Sequence, residues 1–292
     1  MPNYSASMLV VKDIYKTFGN VEALKGLSFE VKKGSIYGLL GPNASGKTTT
    51  IRIILSIIYP DKGNIEMDFE KIGYMPEERG LYPKMQIDEL IYFFGSLRGM
   101  KKEIVESQMN FWLERLELLD RKKDKIETLS KGLKQRLHLL ISILHNPQFL
   151  ILDEPFTGLD PIAVKELREL FSELKDSGKT VLLSTHWMEQ AEQLCDYVCL
   201  IKEGEKIYSG ALEELKEKHM RNDIYIETKG LVDFKQIPKI TDIQSKGKGF
   251  IIRTEMTPGD FIKSLTKTTE VVEFRLVYPS LEEIFIEEVE GE

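Results

Sequence analysis

The sequence predicts an α/β fold built on a buried parallel sheet, followed by a small α+β domain. Three observations predict it. Short, β-rich and almost wholly apolar runs at 149–152 and 180–184 fit strands covered on both faces, as in a parallel sheet layered by helices. Helical periodicity is present at 86–98, 104–119 and 131–144. The apolar run Ile36-Tyr37-Gly38-Leu39-Leu40 leads directly into Gly41-Pro42-Asn43-Ala44-Ser45-Gly46-Lys47-Thr48-Thr49, a G-x-x-x-x-G-K-[ST] phosphate loop between strand and helix.

The elements follow in order. Residues 8–14 and 27–31 read as strands, 35–40 as the buried strand feeding the phosphate loop, and 48–58 as the helix leaving it. The segment at 104–119 carries charge on one side (Glu106, Glu114, Arg115, Glu117) and has Phe111, Trp112, Leu113 and Leu116 for packing. The helix at 131–144 ends at Asn146-Pro147, where proline forbids continuation. Around 210–222 the pattern changes. A charged helix at 211–219 and a linker at 220–223 divide the chain into an expected first domain, 1–219, and a second, 220–292. The second reads as strands at 223–228, 250–255 and 271–277 with helices at 258–266 and 280–289. It lacks His, Cys and a phosphate loop, so no catalysis is expected there. Its Glu-rich end (Glu282, Glu283, Glu287, Glu288, Glu290, Glu292) reads as a solvated helix face.

Bulk properties narrow the class. The 292 residues are 42% hydrophobic and 30% charged, an ordinary globular balance. No apolar stretch reaches the ~18 residues that span a bilayer. The N-terminus lacks a basic region followed by an apolar core, so a cytoplasmic protein is expected. Cys195 and Cys199 are too few for a disulfide framework and wrongly spaced for zinc; they read as core packing. A net charge of −7 argues against broad nucleic-acid binding.

The motifs carry the chemistry. Gly41 and Gly46 let backbone N–H groups converge on phosphate oxygens, and the helix starting near Gly46 aims its positive end at the same anion. Lys47 can reach the β/γ-phosphates, and the Thr48 hydroxyl can ligate Mg²⁺. The run Phe149-Leu150-Ile151-Leu152-Asp153-Glu154 is a buried strand ending in two acids. Its Asp153 is placed to hold the metal and Glu154 to polarise an attacking water. Leu129-Ser130-Lys131-Gly132-Leu133-Lys134-Gln135-Arg136 opens a helix. Ser130 serves as N-cap, Gly132 permits close backbone approach, and the helix start offers another anion site.

With these motifs in this order, the chain resembles the nucleotide-binding subunit of an ABC transporter over about residues 8–215. The family signature Leu-Ser-Gly-Gly-Gln stands here as Leu-Ser-Lys-Gly-Leu, with Lys131 and Leu133 as departures. The resemblance implies a P-loop NTPase fold: a RecA-like core, an antiparallel β subdomain and a helical signature subdomain, plus the C-terminal α+β domain. It implies that ATP is held by Gly41, Pro42, Asn43, Ala44, Ser45, Gly46, Lys47, Thr48 and Thr49 of one copy and covered by Ser130 and Gly132 of another, in a head-to-tail dimer. It makes Phe18 the adenine-stacking aromatic, Asp160 part of the loop communicating across the interface, and His186 the γ-phosphate switch. Glu154, His186 and Lys47 become the catalytic set; Thr48, Asp153 and Glu77 become the Mg²⁺ set. The family usually has Gln where this chain has Glu77, and a carboxylate accepts but cannot donate. The short connection at 63–72 suggests a trimmed antiparallel hairpin.

Two segments narrow the resemblance. Pro76-Glu77-Glu78-Arg79-Gly80-Leu81-Tyr82-Pro83 and Tyr278-Pro279-Ser280-Leu281-Glu282-Glu283-Ile284-Phe285 are similar to exporter ATPases of the sodium-extrusion and drug-resistance type, of the ABC-2 class. That implies a separate membrane permease, peripheral attachment to the inner face of the cell membrane through it, and export driven by hydrolysis of MgATP. Tyr82, Phe93 and Phe94 are candidates for receiving the permease. The competing reading is a soluble, non-transport ABC ATPase acting on a ribosome or nucleic acid. It would call for two linked cassettes or a long heptad insertion, and the gap from phosphate loop to signature is only about 80 residues.

Overall fold

The computed structural model describes residues 7–68, 71–77, 80–230, 232–234 and 237–290. The chain divides into two compact units, Met1–Leu212 and Glu213–Glu292. The division falls seven residues before the break expected at 219/220. The reason is local to the C-terminal unit: at the end of the charged helix, Lys218 Nζ and His219 Nε2 each lie 2.9 Å from Glu288.

In the first unit, β1 (Ser7–Phe18) and β2 (Val21–Lys32) pair antiparallel, and β1 pairs antiparallel with β4 (Lys62–Met67), giving a three-stranded sheet in the order β2-β1-β4. Among the described residues, the connection at 63–72 therefore supplies one strand paired to β1, not a hairpin. Between these strands come β3 (Ile36–Leu40) and α1 (Lys47–Ile54). The helix stops four residues earlier than its apolar run, because Ser56 adopts a left-handed backbone (φ 56°). Then follow β5 (Ile72–Met75), α2 (Ile87–Leu97), α3 (Lys102–Arg115), α4 (Lys131–Ile143), β6 (Phe149–Asp153), α5 (Pro161–Asp176), β7 (Thr180–Thr185), α6 (Met188–Glu192), β8 (Tyr197–Lys202) and β9 (Glu205–Ala211).

The second sheet runs β5-β6-β7-β3-β8-β9, with every pair parallel except β8 and β9. Its central strands are buried along their whole length, as their unbroken apolar composition requires. One core joins the two sheets: Leu9, Ile14, Leu27 and Val31 meet Tyr37, Leu39, Phe149, Ile151 and Leu182, with Ile51 and Ile54 of α1. Helices α2, α3 and α4 pack together beside it. Gly95 of α2 allows their close approach, since a Cβ there would lie 2.5 Å from Val105 of α3.

His145, just past α4, ties this helical part to β5. Its Nε2–H donates to the Ile72 carbonyl at 2.9 Å, so Nδ1 accepts from the Arg98 guanidinium. Burial and the neighbouring Arg98 push the imidazole down to about 4. The folded chain thus binds this proton more weakly than the unfolded chain. Its contribution to stability is present above the ordinary imidazole value of about 6.5 and is lost as pH falls towards 4. The melting temperature is expected to drop over that interval, with a shallower drop in His145→Gln; equal slopes would contradict the assignment.

The second unit holds α7 (Leu212–Lys218, beginning at the boundary), β10 (Asp223–Lys229), β11 (Ile240–Lys246), β12 (Gly249–Thr254), α8 (Pro258–Leu265), β13 (Glu270–Val277) and α9 (Leu281–Glu290). Its four strands form an antiparallel sheet in the order β11-β12-β10-β13. Ile224, Ile226 and Ile252 pack against Phe261 and Leu265 of α8. Asp223 holds the Arg253 guanidinium through two bonds of 2.8 Å. The acidic end is only partly a solvated face, because Glu287 and Glu288 take up His219, Arg221 and Lys218.

Candidate active site

Strand register assembles the site. Leu40 of β3 lies opposite Thr185 of β7, Asp153 of β6 opposite Ser184, and Met75 of β5 opposite Leu152. The C-terminal ends of four parallel strands therefore open on one edge, where α/β sheets bind ligands. The segments leaving that edge begin with Gly41, Pro76, Glu154 and His186.

The phosphate loop is held in place by backbone contacts that only glycine permits. A Cβ on Gly41 would stand 2.1 Å from the Ile201 carbonyl, and one on Gly46 (φ 108°) would stand 2.8 Å from the Ala23 carbonyl. Ala44 takes a left-handed conformation (φ 63°) at the loop's tip. Gly204, in the β8–β9 turn, donates to the Ser45 carbonyl at 3.0 Å and accepts from the Lys25 amide at 2.9 Å, wedging the loop against β2. A cleft of about 620 Å³ lies over the loop. Val21, Glu22, Ala23 and Lys25 of β2 line it together with residues 43–49, Glu77, Glu154 and Glu203.

Lys47 is buried and folded back on its own loop, donating to the Gly41 carbonyl at 2.8 Å and the Pro42 carbonyl at 3.1 Å. Its Nζ lies 3.6 Å from Glu154 Oε1. The Glu154 carboxylate also meets His186 Nδ1 at 3.1 Å and accepts from the Thr185 hydroxyl at 3.3 Å. Its backbone is left-handed (φ 48°) and pinned by its amide, which donates to Ser184. A non-glycine residue in that region is costly and calls for a functional reason.

Asp153 is almost wholly buried. Its Oδ1 accepts from the Ser184 hydroxyl, while Oδ2 has no hydrogen-bond partner among the described residues. Burial raises its carboxyl, opposed by the Ser184 and Thr48 hydroxyls and by the Lys47 charge. Beside it, burial and the charges of Asp153 and Glu77 push the Tyr74 phenol up to about 12. A buried carboxylate oxygen without a partner, next to a threonine hydroxyl, is a donor set that suits a hard divalent cation.

Other expected site residues, Glu77 excepted, stand apart from this cleft. Phe18 is exposed at the end of β1, opposite Val21, and is not among the cleft's lining residues. Ser130 caps α4 by accepting from the Leu133 amide at 3.3 Å, and is exposed. Gly132 is not forced by packing within this chain, since a Cβ there would meet only Leu159 at 3.8 Å. Asp160 caps α5 through the amides of Ile162 and Ala163, both at 3.0 Å. Glu77 is exposed and does line the cleft; Glu78 and Arg79 lie outside the described residues. Sequence reasoning missed the β2 residues and Glu203. It also missed Gln135, fully buried, which donates to the Pro155 carbonyl at 2.6 Å.

Known proteins bear on this geometry. A family model described as "ABC transporter" matches residues 24–157, and one described as "ATP-binding protein DrrA1-3-like, C-terminal domain" matches residues 210–289. The chain is 40% identical over 279 residues to the uncharacterized ABC transporter ATP-binding protein MJ1023 of Methanocaldococcus jannaschii, covering 95% of this chain and 98% of that protein. It is 38% identical to the Nod factor export ATP-binding protein I of Burkholderia lata, covering 73% and 74%. Among solved structures, the ADP conformation of MJ1267, an ATP-binding cassette of an ABC transporter, superposes with a TM-score of 0.64 at 25% identity. It covers 72% of this chain and 93% of that one.

Proposed function

The chain belongs to the ABC transporter ATP-binding proteins, and from that premise we propose how it hydrolyses ATP and with what it works. As a member it is the ATP-binding subunit of a transporter and an ATPase. The observation that carries the finer reading is Glu154, buried within 3.6 Å of Lys47 and 3.1 Å of His186 at the mouth of the phosphate loop.

In this reading residues 41–49 cradle the triphosphate by backbone N–H groups. Lys47 leaves the Gly41 and Pro42 carbonyls to reach the β/γ-oxygens. Glu154, freed from Lys47, accepts a proton from the attacking water, and His186, bonded to that carboxylate, turns towards the γ-phosphate. Thr48, Asp153 and Glu77 would hold Mg²⁺, the unpartnered Asp153 Oδ2 being the best-suited ligand. The ion, when bound, neutralises phosphate charge. Phe18, exposed beside Val21, stacks on the adenine.

Ser130 and Gly132 lie outside the cleft of their own chain, yet stand exposed and half-buried, respectively, at a helix start with room for an anion. That supports a second copy as the source of the covering residues, in a head-to-tail dimer that closes on ATP. Asp160 belongs to the loop at that interface. The partner in this reading is a separate membrane permease, as the resemblance to ABC-2-class exporter ATPases implies; no helix among the described residues is long and apolar enough to cross a membrane. The chain would sit at the membrane's inner face through it. An aromatic group formed by Phe93 and Phe94 of α2 and Tyr82 from the segment before it, with Tyr82 5.7 Å from Phe93 and Phe93 5.4 Å from Phe94, supports a docking place for the permease. Export is the direction favoured by the Nod factor export relative. Purification of the tagged chain from its native membranes is expected to bring down one polytopic membrane protein. Recovery of ribosomes or DNA instead would overturn the transporter partnership.

A further inference from the structure

One face of α4 is keyed to the segment that follows Glu154. At helical spacing, Lys131, Gly132, Gln135 and Arg136 each meet a residue between 155 and 166. Gln135 donates to Pro155, Gly132 faces Leu159, and Arg136 pairs with Glu166 of α5. The contact at Lys131 is the closest and least expected. Gly158 (φ 72°) has no side chain, and the lysine lies in the vacated space: a Cβ there would stand 1.8 Å from Lys131 Nζ, 2.3 Å from Cε and 3.0 Å from Cδ. Lys131 forms no ion pair among the described residues, so it meets the loop through its stem and the ammonium lying over a glycine.

The loop beneath it is short and fixed at both ends. It starts at Glu154, whose backbone is left-handed, and ends at Asp160, which caps α5. Inside, Thr157 donates to the Glu154 carbonyl and Leu159 to the Phe156 carbonyl, both at a long 3.3 Å. A loop with such internal bonds relies on what packs over it. The family signature has glycine at position 131, which would leave Gly158 uncovered.

We infer that Lys131 is a positioning residue: its stem clamps Gly158, so that the start of α4 and the Glu154 carboxylate keep one relative placement within a chain. The inference rests on Glu154 being the hydrolytic base. A clamp of this kind governs turnover rather than nucleotide affinity.

The test compares Lys131→Ala, which removes the stem, with Lys131→Met, which keeps a four-atom stem out to the place of Cε and lacks the ammonium. Both are measured in the full-length protein by steady-state ATPase kinetics and by hydrogen exchange of amides 155–160. Lys131→Ala is expected to lower kcat by roughly threefold to tenfold with KM for ATP unchanged, short of the ~10²-fold cost of outright misplacement. Its 155–160 amides should exchange faster than in the parent. Lys131→Met should restore both readouts. Parental exchange in Lys131→Ala, or Lys131→Met failing as far as Lys131→Ala, would overturn the clamp. A raised KM at unchanged kcat would also overturn it, since that marks a phosphate contact. Glu154→Gln run alongside separates the two readings: normal hydrolysis there removes the base, while the exchange data still judge the clamp.

Discussion

Glu154→Gln is expected to bind ATP like the parent and to lose hydrolysis on the order of 10²- to 10⁴-fold, the range for removing a general base. The substitution is nearly isosteric, so the contacts that position the side chain, His186 at 3.1 Å and the Thr185 hydroxyl at 3.3 Å, have an oxygen or an amide available to them. What it removes is the capacity to take a proton. It also removes the negative charge beside Lys47, which costs the empty site its buried ion pair but frees the lysine for the phosphates. Affinity therefore holds or tightens while turnover collapses. Equilibrium ATP binding and single-turnover hydrolysis on the same sample check both halves. A variant that hydrolyses at the parental rate would remove Glu154 from the mechanism.

Lys47→Ala is expected to fail one step earlier. In the proposed reading the lysine is the cation set on the β/γ-phosphates, and charge-assisted bonds of this kind are worth about 1.5–3 kcal/mol, or roughly 10- to 150-fold in Kd. Its loss also strands Glu154 in a buried site, although His186 and Thr185 remain to it. The fold is expected to survive, because Gly41 is fixed by β8 and Ser45 by Gly204, contacts the substitution does not touch. Titration with a fluorescent ATP analogue, with melting temperature as the control, measures it. Parental affinity in a folded Lys47→Ala would contradict the phosphate role.

The parts of the site legible in the sequence are those whose chemistry restricts residue type. A loop that wraps an anion needs glycine at Gly41 and Gly46, and a buried strand that ends in acids has few uses other than holding a cation or a water. His186, which meets Glu154, was legible through its neighbours and through resemblance; Ser130, read the same way, caps α4 apart from the cleft, and its place in the site belongs to the proposed dimer. The β2 side of the cleft was not, because Val21, Glu22, Ala23 and Lys25 arrive from a different sheet and carry no local signal. Glu203 reaches the cleft from a hairpin turn that looks like any other Glu-Gly turn. In the C-terminal unit β11 escaped notice because nearly all of it is exposed, so apolar alternation is weak. Helix α5 carries the strongest amphipathic pattern in its neighbourhood, yet its role in the site is indirect, through the Asp160 cap and Glu166.

The central claim is that Gly41–Thr49 is half of a site completed by Ser130 of a second copy. It is tested most directly by the mass of Glu154→Gln in solution with and without MgATP, beside Glu154→Gln/Ser130→Asp. Aspartate caps a helix as well as serine does, so α4 keeps its cap while a negative charge is set where the partner's phosphate would come. The expected result is a monomer without ATP and a dimer with it for the single variant. The double variant should bind ATP equally well and stay monomeric. A dimer of equal affinity in the double variant, or a single variant that stays monomeric with saturating ATP, would contradict a shared site.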